Sequence, residues 1–370
     1  MGDRSAWDML LFVGTFTALP PHPRGRAQGI DVFQLDLSTG TLLRVRTVMG
    51  VPNPSFLALH PSRRFLYAVN AVPEIDDHDG GALSAFAIDW SAGDLIFLNR
   101  QSTRGAGPCH VSVDQSGQFA FAANYGGGSV AVFPIRDDGR LDPASDFIQH
   151  TGASVDPERQ RGPHAHSINL TPDGRFALVA DLGIDRLLVY RIDRERGRLI
   201  PNDPPFISVS PGSGPRHLDF HPTGLYLYLI NEIGSTVTVL AYDGDRGTAR
   251  EVQTISTLPE GFSGPNTCAD IHVHPSGRFV YGSNRGHDSI VIYAVDKATG
   301  RLAQIGHQPT LGRTPRNFLI TSEGTWLLAA NQDSDTIVTF RIDTQTGLLT
   351  PVGQPIESLS PVCLRIATPP

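Results

Sequence analysis

A tight turn followed by a buried-looking apolar run recurs six times along the chain, and this recurrence constrains the fold more than any other feature. The copies are HPSRRFLYAVN (60–70), DQSGQFAFAAN (114–124), TPDGRFALVAD (171–181), HPTGLYLYLIN (221–231), HPSGRFVYGSN (274–284) and TSEGTWLLAAN (321–331). Their last residue, Asn or Asp, recurs every 47–57 residues, a period suited to one four-stranded propeller blade. The fullest copy, Gly214 to Asp243, resolves into three strands, Pro215–Phe220, Leu225–Ile230 and Thr236–Tyr242. Pro and Gly set the first turn, and β-branched residues fill the third strand.

Each copy is preceded by a short strand: NPSFLAL (53–59), GPCHVSV (107–113), PHAHSINL (163–170), GPRHLDF (214–220), NTCADIHV (266–273) and TPRNFLI (314–320). A seventh start, SPVCLRI (360–366), stands alone at the C-terminal end, and its missing continuation lies at the other end in 10–16, 29–36 and 39–48. The pattern predicts an all-β, seven-bladed propeller of four-stranded blades. Its last blade is closed by N- and C-terminal strands, so that no sheet edge is left open within the ring. Residues 1–370 are expected to form one such domain, with 1–8 as an unstructured lead.

Charged residues make up only 18% and the formal net charge is −7, which gives no electrostatic footprint for nucleic acid. Three Cys with no CxxC argue against a disulfide framework or a zinc site. The acidic insertion at 73–81 lacks the ordered Asp spacing and terminal Glu of a calcium loop, and NYGGGS (124–129) has no Lys-Ser/Thr to make it a phosphate loop. The first apolar run is too short for a membrane helix or a secretory signal. The expectation is a cytoplasmic protein with no metal, no cofactor, no nucleic-acid partner and no membrane, monomeric or weakly self-associating.

Propeller geometry sorts the polar residues by face. The start of each innermost strand and the loop after the second strand meet at one mouth of the central channel. His110, His164 and His166, Arg216-His217 and Arg316-Asn317 lie at strand starts. Asn124-Tyr125, Glu232, Arg285 and Gln332 lie after second strands. The repeated Asn or Asp is most simply a turn residue that satisfies local backbone groups. His110 and His217 can equally be channel packing. His-Ala-His at 164–166 places two imidazoles on one strand face if the strand is regular. Glu232, Arg216 and Arg285 have no counterparts in most other blades, and a concave site with convergent polar groups is where chemistry is expected.

FVGTFT (12–17), GPCHVSVDQSGQFAFAANYGGGSVAVF (107–133), PERQRGPHAHSINLTPDGRFALVADLGIDRLLVYR (157–191), GPRHLDFHPTGLYLYLINEIGSTVTVL (214–240) and SNRGHDSI (283–290) together resemble the seven-bladed propeller lactonases. That family includes propeller-type 6-phosphogluconolactonases and 3-carboxy-cis,cis-muconate lactonizing enzymes. The resemblance covers essentially the whole chain. It implies that the family's active-site His, Arg, Glu and Arg fall on His164 or His166, Arg216, Glu232 and Arg285. Ala71 stands after Asn70 where relatives often carry Glu, a departure at the mouth.

The implied chemistry is opening of a sugar δ-lactone by water, most simply 6-phosphoglucono-1,5-lactone, without a metal. His166, tuned by Glu232, is expected to activate water, while Arg216 and Arg285 hold the oxyanion and an anionic group. His164, His110, Asn124, Tyr125, His217, Arg316, Asn317 and Gln332 are expected to contact the small anionic substrate. Two alternatives remain at this level: a lactonizing or isomerising enzyme for a carboxymuconate-type lactone, and a non-catalytic binding propeller.

Overall fold

The computed structural model describes residues 9–370 apart from 21, 23, 76 and 77. The expected lead over 1–8 lies outside the described residues. Seven four-stranded antiparallel sheets stand in a ring, and no helix occurs among the described residues. The innermost strands are Pro54–Leu59, Pro108–Val113, Ala165–Leu170, Pro215–Phe220, Thr267–Val273, Pro315–Ile320 and Pro361–Ala367. Each of them touches the next, and the last touches the first, so the ring closes.

The closing blade is ordered as the sequence predicts. Pro361–Ala367 is innermost and is followed outward by Leu10–Thr15, Gly29–Asp36 and Thr41–Met49. Phe12 pairs with Arg365 on one side and Val32 on the other. Both chain ends are thereby stitched into one ladder. The acidic insertion after the first blade's second strand folds back on itself, pairing Glu74–Ile75 with His78–Asp79.

Second strands carry the recurring apolar run because both of their faces are covered. Phe65–Asn70, Phe119–Asn124, Phe176–Asp181 and Trp326–Asn331 are buried at every residue. The apolar clusters lie between neighbouring blades rather than at the ring centre. One joins Leu178 and Leu187 to Leu218 and Leu229, for example, and another joins Tyr228 and Val239 to Ile271 and Val280. Apolar burial thus holds blade to blade and leaves the channel free for polar groups.

The terminal Asn of each second strand is a turn residue, as its repetition suggests. Asn70 Nδ2 donates to Pro52 O at 2.8 Å, Asn231 Nδ2 to Thr236 and Thr238 hydroxyls at 2.9 and 3.0 Å, and Asn284 Nδ2 to Thr257 O at 2.9 Å. Asp181 replaces Asn because its carboxylate serves more donors. It accepts from His164 N at 2.7 Å and Gly183 N at 3.1 Å, and it meets His150 Nδ1 at 2.7 Å.

Candidate active site

Every innermost strand contains a bulge in its first residues. In the fourth blade Pro215 pairs with Asn231 and His217 with Ile230, so Arg216 is an extra residue with no partner across the ladder. The same count leaves Ser55, Cys109, His166, Arg316 and Val362 as the extra residues in their blades. A bulge bends the strand and re-aims one side chain, and all six of these residues line one cavity of ≈570 Å³ at the mouth. In the fifth blade the shift falls between Cys268 and Ile271. There, backbone carbonyls of Cys268 and Ala269 accept from Arg285 and Arg216.

The bulge also changes the reading of His-Ala-His. The strand begins at Ala165, so His164 precedes it, and His166 is its unpaired residue. The two imidazoles therefore part. His166 lines the cavity. His164 stacks on Tyr125 at 4.6 Å between ring centroids, and its Nδ1 donates to Tyr125 O at 2.9 Å. It buttresses the wall from behind.

Glu232 stands at the centre of the cavity's charge. Its Oε1 accepts from Arg159 Nη2 at 2.6 Å, and its Oε2 accepts from Arg216 Nε at 2.8 Å and forms an ion pair with Arg285 Nη2, also at 2.8 Å. Burial pushes the Glu232 carboxyl up, but Arg285, Arg216 and Arg159 more than reverse this and hold it far below the usual carboxylate range. Arg216 is buried, with Nε on Glu232 and Nη1 on Ala269 O. Arg285 has a buried Nε with no hydrogen-bond partner among the described residues.

His166 Nε2 lies 3.9 Å from Glu232 Oε2, beyond hydrogen-bond reach, and its Nδ1 lies 3.9 Å from Cys109 Sγ. Glu232, expected to tune His166, is thus near the ring without a hydrogen bond to it. Burial, then repulsion from Arg216, His217, Arg316 and Arg285, drives its pKa well below the ordinary value, so at neutral pH the imidazole is uncharged. His217, 5.3 Å away between ring centroids, is held by Asp270: Nδ1 donates to Oδ1 at 2.7 Å. Burial and Arg216 lower the His217 pKa to about 4 despite that bond. The Cys109 thiol is pushed up to about 12 by burial and stays protonated.

Tyr125, His166, Arg216, His217, Glu232, Arg285 and Arg316 all line the cavity. Besides His164, four expected contacts do not. Asn124 is fully buried and donates to Thr103 O and Ser129 Oγ. Asn317 is buried against Asp270, its Oδ1 accepting from Leu364 N at 2.7 Å, and so ties the sixth blade to the fifth and seventh. His110 packs between Phe56 and His217, at 4.3 and 5.5 Å between ring centroids. Gln332 lines a neighbouring cavity of ≈910 Å³, separated from the first by Phe16 and His22.

Sequence reasoning also missed several groups on the wall. Arg159 comes from the loop PERQRG, which precedes the third blade's innermost strand. The signal available was a basic residue in a blade-connecting loop just before His-Ala-His. Phe16 and His22 come from the clasp blade's first loop and stack at 3.6 Å. Ala71 lines the cavity as expected of its loop, and its small side chain leaves space where a longer one would project.

Comparison with known proteins decides the family. The model of the seven-bladed β-propeller lactonases matches residues 10–366. The chain belongs to that family. A Bacillus subtilis 6-phosphogluconolactonase is 38% identical over 83% of this chain and 84% of its own length. A 6-phosphogluconolactonase of Formosa agariphila is 36% identical over 86% and 88%. Among solved structures, the periplasmic gluconolactonase of Pseudomonas aeruginosa matches with a TM-score of 0.90 at 35% identity, covering 98% of this chain and 99% of that one. The protein is a lactonase by family and architecture, and the mouth cavity is the place in it where polar and charged groups converge.

Proposed function

We propose that the enzyme hydrolyses an anionic sugar δ-lactone, with 6-phosphoglucono-1,5-lactone as the substrate that fits best, and without a metal. The observation that carries this reading is the charge of the cavity. Four guanidiniums, from Arg159, Arg216, Arg285 and Arg316, face a single carboxylate, Glu232. Such a wall favours an anion. It also places donors where a carbonyl oxygen gains charge. The names of the relatives above point the same way.

In this reading neutral His166 takes a proton from water as the water oxygen attacks the lactone carbonyl carbon. Arg285 and Arg216 stabilise the oxyanion of the tetrahedral intermediate. The ring C–O bond then breaks, and its oxygen receives the proton from His166. The product carboxylic acid ionises, so one proton is released per turnover. Glu232 acts through the guanidiniums: it holds three of them in place rather than meeting the substrate as a base. Among the described residues no group of three or more His, Cys, Asp or Glu side chains is placed to hold a metal ion.

A second reading makes His217 the base. It is favoured by one observation, the Asp270 carboxylate that fixes the His217 ring, because a base is commonly oriented by a third group. Asp270→Asn distinguishes the two. If His217 is the base, kcat falls by about 10²-fold or more; if His166 is, it falls far less.

A cytoplasmic setting belongs to this proposal. It is supported by three free cysteines, which suit a reducing compartment. The substrate is tested by proton release from freshly prepared phosphorylated and unphosphorylated glucono-δ-lactone, with and without chelator. Acceleration of the phosphorylated lactone, insensitive to chelator, is expected. No acceleration of either lactone moves the assignment to another anionic lactone, such as a carboxymuconate.

A further inference from the structure

Of the four guanidiniums on the cavity wall, three are held by Glu232. Arg316 is not: among the described residues it makes no ion pair and no hydrogen bond, and its one contact of note is with the Phe16 ring, 5.2 Å from centroid to guanidinium carbon. It is the unpaired residue of its strand's bulge, so the backbone itself directs it to the cavity. Phe16 is in turn stacked on His22. The positions of Arg316, Phe16 and His22 thus define one side of the cavity, at the wall shared with its neighbour.

We infer that Arg316 is the docking point for the substrate's own oxyanion, a phosphate ester or carboxylate remote from the lactone carbonyl, while Arg216 and Arg285 serve the reacting end. The division follows from what each cation already holds. Arg216 and Arg285 are fixed by Glu232 and by backbone carbonyls, which suits groups that must meet a developing charge without moving. Arg316 has its hydrogen-bonding fork unoccupied, and a guanidinium matches phosphate or carboxylate in a two-point contact.

The cost of leaving Arg316 alone supports this. Burial, with repulsion from Arg216 and Arg285, lowers its pKa to about 9. An anion arriving at Arg316 relieves that repulsion. Phe16 adds an apolar flank to the guanidinium and leaves its edge for the ligand. His22 does not compete for the anion: burial and Arg316 lower its pKa to about 4, so it is uncharged at neutral pH.

The inference rests on the lactonase reading for the identity of the substrate, but anion binding can be measured without turnover. The probes are glucose 6-phosphate, which carries a phosphate and no carboxylate, and gluconate, which carries the reverse. The melting temperature of the full chain is measured with and without each, for the wild type and Arg316→Met, with Arg316→Gln as a second variant should the first not fold. At least one anion is expected to raise the wild-type value, the variant is expected to lose that rise, and the anion that works names the source of the charge. The unliganded variant is expected to melt no lower than the wild type, because no protein carboxylate loses a partner. In turnover, KM for the phosphorylated lactone is expected to rise about tenfold or more, with a smaller fall in kcat. Equal ligand shifts in wild type and variant, or no shift with either anion, overturn the inference. Failure of the lactonase reading looks different: neither lactone is opened, yet an Arg316-dependent shift persists.

Discussion

The two ends of the innermost strands use the same residue types for opposite purposes. At the far face, His60, His221 and His274 occupy equivalent turns. In each, Nδ1 meets the hydroxyl two residues on, at 2.7–2.8 Å, and Nε2 donates to the turn glycine carbonyl of the next blade, Gly117, Gly277 or Gly324, at 2.9–3.0 Å. Those glycines have φ of +69 to +74°, and a Cβ on Gly277 would come within 2.6 Å of His221 Nε2. At the mouth, His166 and His217 sit in non-repeating surroundings among guanidiniums, and the neighbours of the His166 ring nitrogens, Cys109 Sγ and Glu232 Oε2, are both 3.9 Å away. Within one repeat protein, a polar side chain that recurs with its neighbours joins blades. One that departs from the repeat at a bulge is available for chemistry.

The largest effect expected from breaking this contrast is at Glu232. Glu232→Gln removes the charge that three guanidiniums share. Loss of one partner of a buried ion pair costs about 3–5 kcal/mol, and chemical denaturation should register a loss of that order. Turnover should fall by about 10²–10³-fold as the oxyanion donors lose their positions.

Acid sensitivity comes next and belongs to the mouth. His217 has a folded pKa of about 4, below its unfolded value of 6.5. Between those values the unfolded chain binds a proton that the folded chain does not. Stability is therefore full above pH 6.5 and falls as pH drops toward 4, by up to about 1.4 kcal/mol per pH unit for this residue. Denaturation midpoints measured from pH 7 to pH 4 should decline less steeply in His217→Asn than in the wild type.

A smaller effect is expected at the far face. His221→Ala removes one inter-blade hydrogen bond and should cost about 1 kcal/mol with kcat unchanged within error. The smallest is at Cys109. Its thiol lies against His166 but stays protonated, so Cys109→Ser should keep turnover within about threefold of wild type, and alkylation at pH 8 should be slow.

The blade count, the clasp and the identity of the mouth were legible in the sequence because each follows from a repeated pattern. Pro215–Phe220 and the two strands after it fall within a residue or two of their predicted limits. The side-chain directions at the mouth were less legible. Strand alternation puts His164 and His166 on one face, and a single extra residue undoes this, since a register shift of one reverses which face a side chain takes. Asn124 and Asn317 looked like substrate contacts by position, yet Asn124 spends its Nδ2 on Thr103 and Ser129, and Asn317 spends its amide on inter-blade bonds to segments 47 residues away. Glu232 stood out as an unrepeated carboxylate. That Arg159 would reach it from 73 residues away depended on the path of a loop with no repeat to fix it.

The most direct test of the account is the turnover of 6-phosphoglucono-1,5-lactone by His166→Asn beside wild type and His221→Ala, corrected for spontaneous opening, with melting temperatures taken on the same samples. The account predicts that His166→Asn loses about 10²–10⁴-fold in kcat at an undiminished melting temperature, while His221→Ala melts lower and turns over normally. Near-wild-type turnover by His166→Asn would contradict it.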